Sequence, residues 1–254
     1  MGRCRYYRHC CGLVLLLALS PAWADTPEAG LPAAQAALQQ CVQQLPASLR
    51  ASFATRSRRG HASVGRAHRA TWRACVERSR DVADLEAGVQ LRDALVALAR
   101  TEDPLRGSEP SVEAEAQAIS TALVAETRRR AGEFRMVGSP LWNNFLMHTG
   151  ARKLGYCYHW TQALATAVQG LPWCHFARSW GVASPGKATE NNGLVLTARG
   201  ASLERGIVYD AWRGAGRPYW RAVQGDRYRW EERFSEVQLR HGVRDLLQPH
   251  ELLP

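Results

Sequence analysis

The hydrophobic pattern of this 254-residue chain changes period after its first half. From residue 31 to residue 132, apolar side chains recur at helical spacing, with a break at Pro46. One further helix is predicted, and short β-like runs separated by Gly and Pro follow it. These runs cover residues 173–180, 193–199, 206–212 and 219–223. Helices followed by strands joined through short turns predict the α+β class with an antiparallel sheet.

Polar and turn-rich stretches divide the helical pattern into separate helices. We predict helices at residues 31–53, 66–100, 112–132 and 156–168. The stretch 57–65 is predicted to be a loop, and 200–206 a hairpin connection. The stretch 101–111 is rich in turn residues, and Ser108 and Ser111 in it are candidate helix caps.

The first 24 residues have the three parts of a secretory signal peptide. Arg3, Arg5 and Arg8 give a basic start. The apolar run at 12–20, GLVLLLALS, is too short to span a bilayer, and AWA at 22–24 fits a cleavage site. We therefore expect a periplasmic or secreted protein cleaved near Ala24, with an uncleaved anchor as the alternative. The expected organisation is signal peptide 1–24, helical region 25–135 and a second domain at 136–254.

The chain is strongly basic. Removing the three leader arginines takes the net charge from +10 to +7, and many arginines lie between Arg50 and Arg80. This charge favours an anionic partner, such as a cell-envelope component, and allows peripheral membrane contact. An arginine-rich solvated helix face is the alternative. No nucleic-acid-binding motif is present, and expected export also argues against that partner. The sequence predicts no oligomeric state.

Four cysteines lie beyond the leader, and cysteines tend to pair in an oxidising compartment. Cys41 and Cys75 both lie in predicted helices, so a disulfide between them would join two antiparallel helices. Cys157 and Cys174 then either pair with each other or stay free.

Cys157 follows a glycine turn signal and falls in the first turn of a predicted helix, in GYCYHWTQAL at 155–164. A thiol at a helix N-terminus has its thiolate stabilised by free N–H groups and the helix dipole. Thiol catalysis also needs a base and a group that orients the base. The alternatives are a buried small apolar residue and a disulfide partner of Cys174.

The order of this helix and the strands after it resembles the transglutaminase-like branch of the papain-like cysteine enzymes, over roughly residues 140–223. The resemblance implies a cysteine-bearing helix packed on an antiparallel sheet, and acyl transfer or amide hydrolysis through a thioester. It assigns the nucleophile to Cys157 and the aspartate to Asp210, in GIVYDAW at 206–212. The histidine position falls in TENNGLVL at 189–196, where Asn191 stands instead. We expect the side chains of these three residues to converge.

The missing histidine weakens the predicted chemistry. An amide cannot accept a proton at neutral pH, and losing a general acid–base costs roughly 10²–10⁴ in rate. Glu190, His159 and His175 are the candidate substitutes. We therefore expect a protein or peptide substrate that is turned over weakly or not at all. The alternative is a non-catalytic binding module for an anionic or peptide partner.

The remaining sequence patterns concern a turn and cofactor binding. Asp210 has a second interpretation, as the cap of a turn before Arg213. No His, Cys, Asp or Glu spacing typical of a zinc site occurs, and no glycine-rich phosphate loop, so no cofactor is expected.

Overall fold

The computed structural model of the protein describes residues 27–54 and 64–247. The predicted signal peptide and most of the predicted loop at 57–65 lie outside the described residues. The chain forms two compact units that divide between Ala87 and Gly88. This division lies within a helix, at a different position from the domain boundary expected after residue 135.

Helices account for most of the described chain, and those that were predicted begin and end close to the predicted positions. They are α1 Pro27–Gln43, α2 Ala47–Ala54, α3 Arg69–Glu102, α4 Pro110–Glu133, α5 Pro140–His148, α6 Cys157–Ala167 and α7 Glu236–His241. Short 3-10 turns occupy Arg66–His68, Arg106–Ser108, Leu203–Arg205 and Arg244–Leu246. Helices α5 and α7 were not predicted. Among the described residues, no helix is both long and apolar enough to cross a membrane.

The start of α4 differs from the expectation. The N-cap residue is Glu109, without a side-chain cap bond, so neither Ser108 nor Ser111 caps the helix. Pro110 stands at the first helical position, where proline is favoured because its φ is already helical. At α5, by contrast, Ser139 accepts a hydrogen bond from the N–H of Trp142 at 3.2 Å.

The unit that contains α1 and α2 is held by a disulfide and a small apolar cluster. Cys41 and Cys75 are bonded, with their Cα atoms 5.6 Å apart, so the predicted pairing is confirmed. The cluster around them is buried and includes Leu45, Leu49 and Trp72. A cross-link between two helices compensates for the small apolar core that so few residues can form.

The second unit contains one five-stranded antiparallel sheet, which confirms the α+β class. Its strands are β1 Phe176–Ala183, β2 Asn191–Ala198, β3 Ile207–Tyr209, β4 Trp220–Ala222 and β5 Trp230–Phe234. Their order across the sheet is β4-β3-β2-β1-β5. β2 and β3 are adjacent and antiparallel, as the predicted hairpin requires. β5 was not predicted, since TyrArgTrpGluGluArgPhe lacks apolar alternation.

The two faces of the sheet bury different sets of side chains. Trp180, Leu194 and Leu196 belong to the main core, together with residues of α4 and α6. Val195, Val208 and Trp230 form a smaller cluster. The faces alternate along β2 because successive strand residues point in opposite directions. Both faces of β2 are buried, and this explains its continuous apolar run.

Glycines allow Trp230 to lie close to the sheet. Gly181 of β1 pairs with Gly193 of β2. A Cβ atom at Gly181 would lie 3.2 Å from the indole of Trp230, and one at Gly193 would lie 3.3 Å from it. The indole therefore fills the space that two missing side chains leave across neighbouring strands.

Candidate functional site

The turn before α6 is set by Gly155. Its φ of 119° lies in the region that favours glycine. A Cβ atom at this position would also lie within 4 Å of Phe134, Met136 and Met147. The chain turns at Gly155, and α6 begins two residues later at Cys157. The predicted position of the cysteine, in the first turn of a helix, is therefore confirmed.

His159 contributes to the beginning of α6. Its Nδ1 accepts hydrogen bonds from the N–H of Gly155 at 3.2 Å and of Tyr156 at 3.3 Å. A ring nitrogen that accepts two backbone N–H groups is committed to capping the helix. His159 therefore does not serve as the base for the neighbouring cysteine with that nitrogen.

The Cys157 thiol lies against the start of β2. Its Sγ is 3.8 Å from the carbonyl oxygen of Glu190, to which the thiol donates. The side-chain amide of Asn192 donates from Nδ2 to the same Sγ at 3.5 Å. Cys157 is buried, and neither Cys157 nor Cys174 is in a disulfide, so the alternative of a disulfide between them is wrong.

The Asn192 amide is held in one orientation by its other neighbours. Its Oδ1 accepts from the indole N–H of Trp180 at 2.7 Å, and its Nδ2 also donates to Glu190 Oε1 at 3.0 Å. The second carboxylate oxygen of Glu190 accepts from the N–H of Gly186 at 2.7 Å. These contacts fix the nitrogen end of the amide towards the sulfur. An amide nitrogen donates only, so it takes no proton from the thiol.

The expected convergence of Cys157, Asn191 and Asp210 is realised only in part. Asn191 donates from Nδ2 to Asp210 Oδ2 at 2.7 Å, so these two residues meet. The residue that contacts the cysteine is Asn192, one position further along β2. Because side chains alternate along a strand, Asn191 points to the opposite face of the sheet. The position facing the thiol is therefore corrected from Asn191 to Asn192.

Asp210 belongs to a buried ionic cluster on that opposite face. Arg213 donates from Nε to Asp210 Oδ2 at 2.7 Å and from its backbone N–H to Oδ1 at 3.0 Å. The second interpretation of Asp210, as the cap of a turn before Arg213, is thus confirmed. Both terminal nitrogens of Arg213 bind Asp226, at 2.9 and 2.7 Å. Burial raises the pKa of Asp210, and the Arg213 guanidinium opposes that shift.

Three aromatic rings surround the same guanidinium. The carbon at its centre lies 4.9 Å from the ring centroid of Tyr219, 5.0 Å from that of Tyr228 and 5.6 Å from that of Trp230. Ring faces stabilise a cation that has left water. Arg213 therefore binds two carboxylates and contacts three aromatic rings, and Asp210 binds Arg213.

His175 lies at the opposite end of the paired strands β1 and β2 from the Cys157 thiol. Asn192 pairs with Val182 of β1, and His175 precedes the first residue of that strand. Seven residues of strand between them span about 23 Å at 3.3 Å each. His175 as a substitute base for Cys157 is therefore wrong. The backbone N–H of His175 donates to Glu115 at 2.8 Å.

The surroundings of Cys157 disfavour its thiolate. Burial raises the pKa of the thiol to about 11, the Asn192 N–H groups oppose the shift, and the charges of Asp210 and Glu190 add to it. With a pKa near 11, about one molecule in 10⁴ carries the thiolate at pH 7.

Strand alternation was the available signal for Asn192, because Leu194 and Leu196 share its face. Both faces of β2 are apolar, however, so the sequence does not say which face the helices cover. Nothing in the sequence pointed to Trp180 as the partner of Asn192. In the part of the chain that the structure describes, no group of three or more His, Cys, Asp or Glu side chains is placed to hold a metal ion.

No protein-family model, no curated protein and no solved structure matches this chain.

Proposed function

We propose that this chain is an exported protein with a transglutaminase-like thiol fold, in which acyl transfer and amide hydrolysis through Cys157 are lost. The observation that most directly supports this proposal is the contact between Asn192 Nδ2 and Cys157 Sγ, at 3.5 Å. In this proposal, Asn192 occupies the position where the resembled family has its catalytic histidine. The proposal thus moves the assignment by one residue from the position expected from the sequence.

The chemistry of the site supports the loss of turnover. A thioester mechanism needs a group that takes the thiol proton and later gives a proton to the leaving group. Asn192 supplies neither function, and His159 Nδ1 is occupied by two backbone N–H groups. Both carboxylate oxygens of Asp210 accept hydrogen bonds from Arg213. Asn192, His159 and Asp210 are therefore each held by hydrogen bonds that stabilise the fold.

Glu190 is the remaining candidate base. Its Oε1 accepts from Asn192 and its Oε2 accepts from Gly186, so both carboxylate oxygens already have donors. The carboxylate contacts the amide rather than the sulfur, while the Cys157 Sγ faces the Glu190 backbone carbonyl. The geometry supports Glu190 as an orienting group for Asn192 and not as the acceptor of the thiol proton.

The test is the alkylation rate of Cys157 as a function of pH. We expect iodoacetamide to modify Cys157 very slowly at pH 7, at least 100-fold slower than an unhindered thiol, and faster as pH approaches 11. The measurement is peptide mass spectrometry on Cys174→Ala protein, with Cys157→Ala as the blank. Rapid modification that is the same from pH 6 to pH 9 would contradict the proposal.

A second candidate function is a non-catalytic binding module for an anionic or peptide partner. One observation favours it specifically: no Asp or Glu occurs between residues 134 and 189, although this segment contains α5, α6 and β1. Such a segment carries only positive charge. A binding role of this kind does not use the thiol, so Cys157→Ala should leave binding unchanged.

A further inference from the structure

One helix of the second unit exposes an apolar face. Leu141, Trp142 and Phe145 on α5 are 76%, 50% and 53% exposed, and Val137 just before the helix is 49% exposed. The rings of Trp142 and Phe145 stack on each other, with centroids 5.3 Å apart. Other large exposed apolar side chains in the described chain, such as Leu105 and Val237, stand singly. Single exposed residues are normal, whereas a cluster indicates a binding surface.

The opposite face of α5 holds the helix firmly. Asn143 is buried, and its Nδ2 donates to the carbonyl oxygens of Val137 at 2.9 Å and of Ser139 at 2.8 Å. Its Oδ1 accepts from Arg152 at 2.7 Å. The segments before and after α5 are thus tied to one side chain. Because α5 is already ordered, binding through its exposed face costs no conformational entropy for folding the helix, and this favours binding.

The charged side chains on the segments directly before and after α5, residues 134–139 and 149–154, are all basic. Arg135 and Lys153 are exposed on the segments that flank the helix, and Arg152 beside it bonds to Asn143 and to a backbone carbonyl. Glu133, which precedes the acid-free segment, is paired with Arg129 and Arg130. An apolar face bordered by unneutralised basic groups is complementary to a surface that is apolar inside and anionic outside.

We propose that the face of α5 formed by Leu141, Trp142 and Phe145, with Val137, docks on an anionic lipid bilayer. Trp and Phe are favoured where headgroups meet acyl chains, and Lys and Arg are attracted to anionic headgroups. The two aliphatic members have no ring to stack on a sugar, and Trp142 and Phe145 already cover one face of each other. These features favour lipid over a polysaccharide. The proposal goes beyond the thiol site and holds whether or not Cys157 reacts.

The experiment is vesicle co-sedimentation with the processed protein, its N-terminus verified by mass spectrometry. Vesicles of phosphatidylcholine alone are compared with vesicles that also contain phosphatidylglycerol. We expect the parent protein to bind the anionic vesicles at least tenfold more tightly, and salt near 0.5 M to weaken this binding. The triple variant Leu141→Ser, Trp142→Ser, Phe145→Ser should bind them at least tenfold more weakly.

Matched controls separate this face from general stickiness and charge. Leu105→Ser with Val237→Ser removes two other exposed apolar residues and should change binding less than twofold. Lys153→Glu should weaken binding several-fold at low salt, whereas Arg229→Glu, an exposed arginine on another segment, should not. If the triple variant binds anionic vesicles as tightly as the parent, the proposal is wrong, and the arginines between Arg50 and Arg80 become the binding region.

A second measurement locates the contact without removing apolar surface. Brominated acyl chains quench tryptophan that enters the bilayer, so Trp142→Phe should keep binding but lose most of the quenching. Unchanged quenching would overturn the proposal. Sedimentation velocity without vesicles gives the remaining outcome: a dimer that the triple variant dissociates, with vesicle binding unaltered, would make this face a self-association surface.

Discussion

Asn191 and Asn192 are chemically identical neighbours with unrelated surroundings. One amide bonds to a carboxylate that is paired with arginine, and the other holds the only side-chain amide contact seen at the Cys157 sulfur among the described residues. The difference arises from the strand, which sends successive side chains to opposite faces. At the residue scale, therefore, the position of an amide decides whether it belongs to a thiol site or to an ionic cluster.

Introducing a base at position 192 should activate the thiol. In Asn192→His, the introduced imidazole is placed to contact both Cys157 Sγ and Glu190, which would lower the thiol pKa. We expect the alkylation rate of Cys157 at pH 7 to rise roughly tenfold or more. Asn192→Gln is the control, because it adds length without a base and should leave the rate within about twofold.

The same series tests the assignment of the histidine position. Equal rates for the two Asn192 variants, with both proteins folded by circular dichroism, would mean that this position is not equivalent to the histidine of the resembled family.

Arg213 carries the other residue-scale prediction. Its side chain is 5% exposed and bridges Asp210 and Asp226, which are 0% and 4% exposed. Arg213→Ala leaves two buried carboxylates without their cation, which should lower the free energy of unfolding at pH 7 by roughly 3–5 kcal/mol. The measurement is denaturant unfolding followed by fluorescence.

Arg129 provides the matched comparison. It pairs with Glu126 and Glu133 but is 56% exposed, so Arg129→Ala should cost no more than about 1 kcal/mol. Similar losses for the two variants would mean that the buried cluster contributes no more than a surface ion pair.

At the scale of elements, one carboxylate joins a helix to a strand. Glu115 of α4 accepts from the backbone N–H groups of Cys174, His175 and Phe176, at 2.8–3.2 Å, where β1 begins. Burial raises the pKa of Glu115 from 4.5 to about 7, while these N–H groups and Arg199 oppose the shift. The connection between α4 and the sheet should therefore depend on pH.

The sign of this dependence follows from the raised pKa. Between pH 4.5 and pH 7 the folded protein binds more protons at Glu115 than the unfolded chain does, so stability falls as pH rises through this window. Glu115 therefore contributes about 3 kcal/mol to the free energy of unfolding below pH 4.5, and this contribution is lost above pH 7. We expect thermal unfolding curves to show this fall in the parent protein.

Glu115→Gln removes the titrating group and should flatten that part of the profile, at some cost in stability at every pH. A parent protein whose stability rises between pH 4.5 and pH 7, with the rise absent in the variant, would show that the N–H groups outweigh burial.

At the scale of the whole molecule, the two compact units are stabilised by different means. The unit at residues 88–247 contains a sheet with buried side chains on both faces, whereas the described part of the other unit contains a small cluster and one disulfide. A bond that closes a loop of this sequence separation, 34 residues, contributes about 3–4 kcal/mol by limiting the unfolded chain.

Removing the disulfide should therefore affect one unit. In Cys41→Ser with Cys75→Ser, we expect amide hydrogen exchange to rise by at least tenfold at residues 27–54 and 69–87 and to stay within about threefold in β1 and β2. Reduction of the parent protein should reproduce the pattern. Equal acceleration in both units would show that they unfold together.

The sequence alone determined the α+β class, the antiparallel sheet, the hairpin between β2 and β3, the Cys41–Cys75 pair and the position of Cys157 at the first turn of α6. These features depend on local periodicity, turn residues and the pairing tendency of cysteine, which a single chain displays directly. The elements missed, α5, α7 and β5, are short; α5 exposes part of its apolar face and β5 exposes charged side chains.

Only the tertiary structure decided which asparagine faces the thiol, that His175 is far from it, and that Asp210 is committed to Arg213. Each of these depends on strand register, and a shift of one residue moves a side chain to the other face of the sheet. When both faces are buried, as in β2, the apolar pattern does not distinguish them. Packing of the helices against one face fixes the register, and with it the chemistry around Cys157.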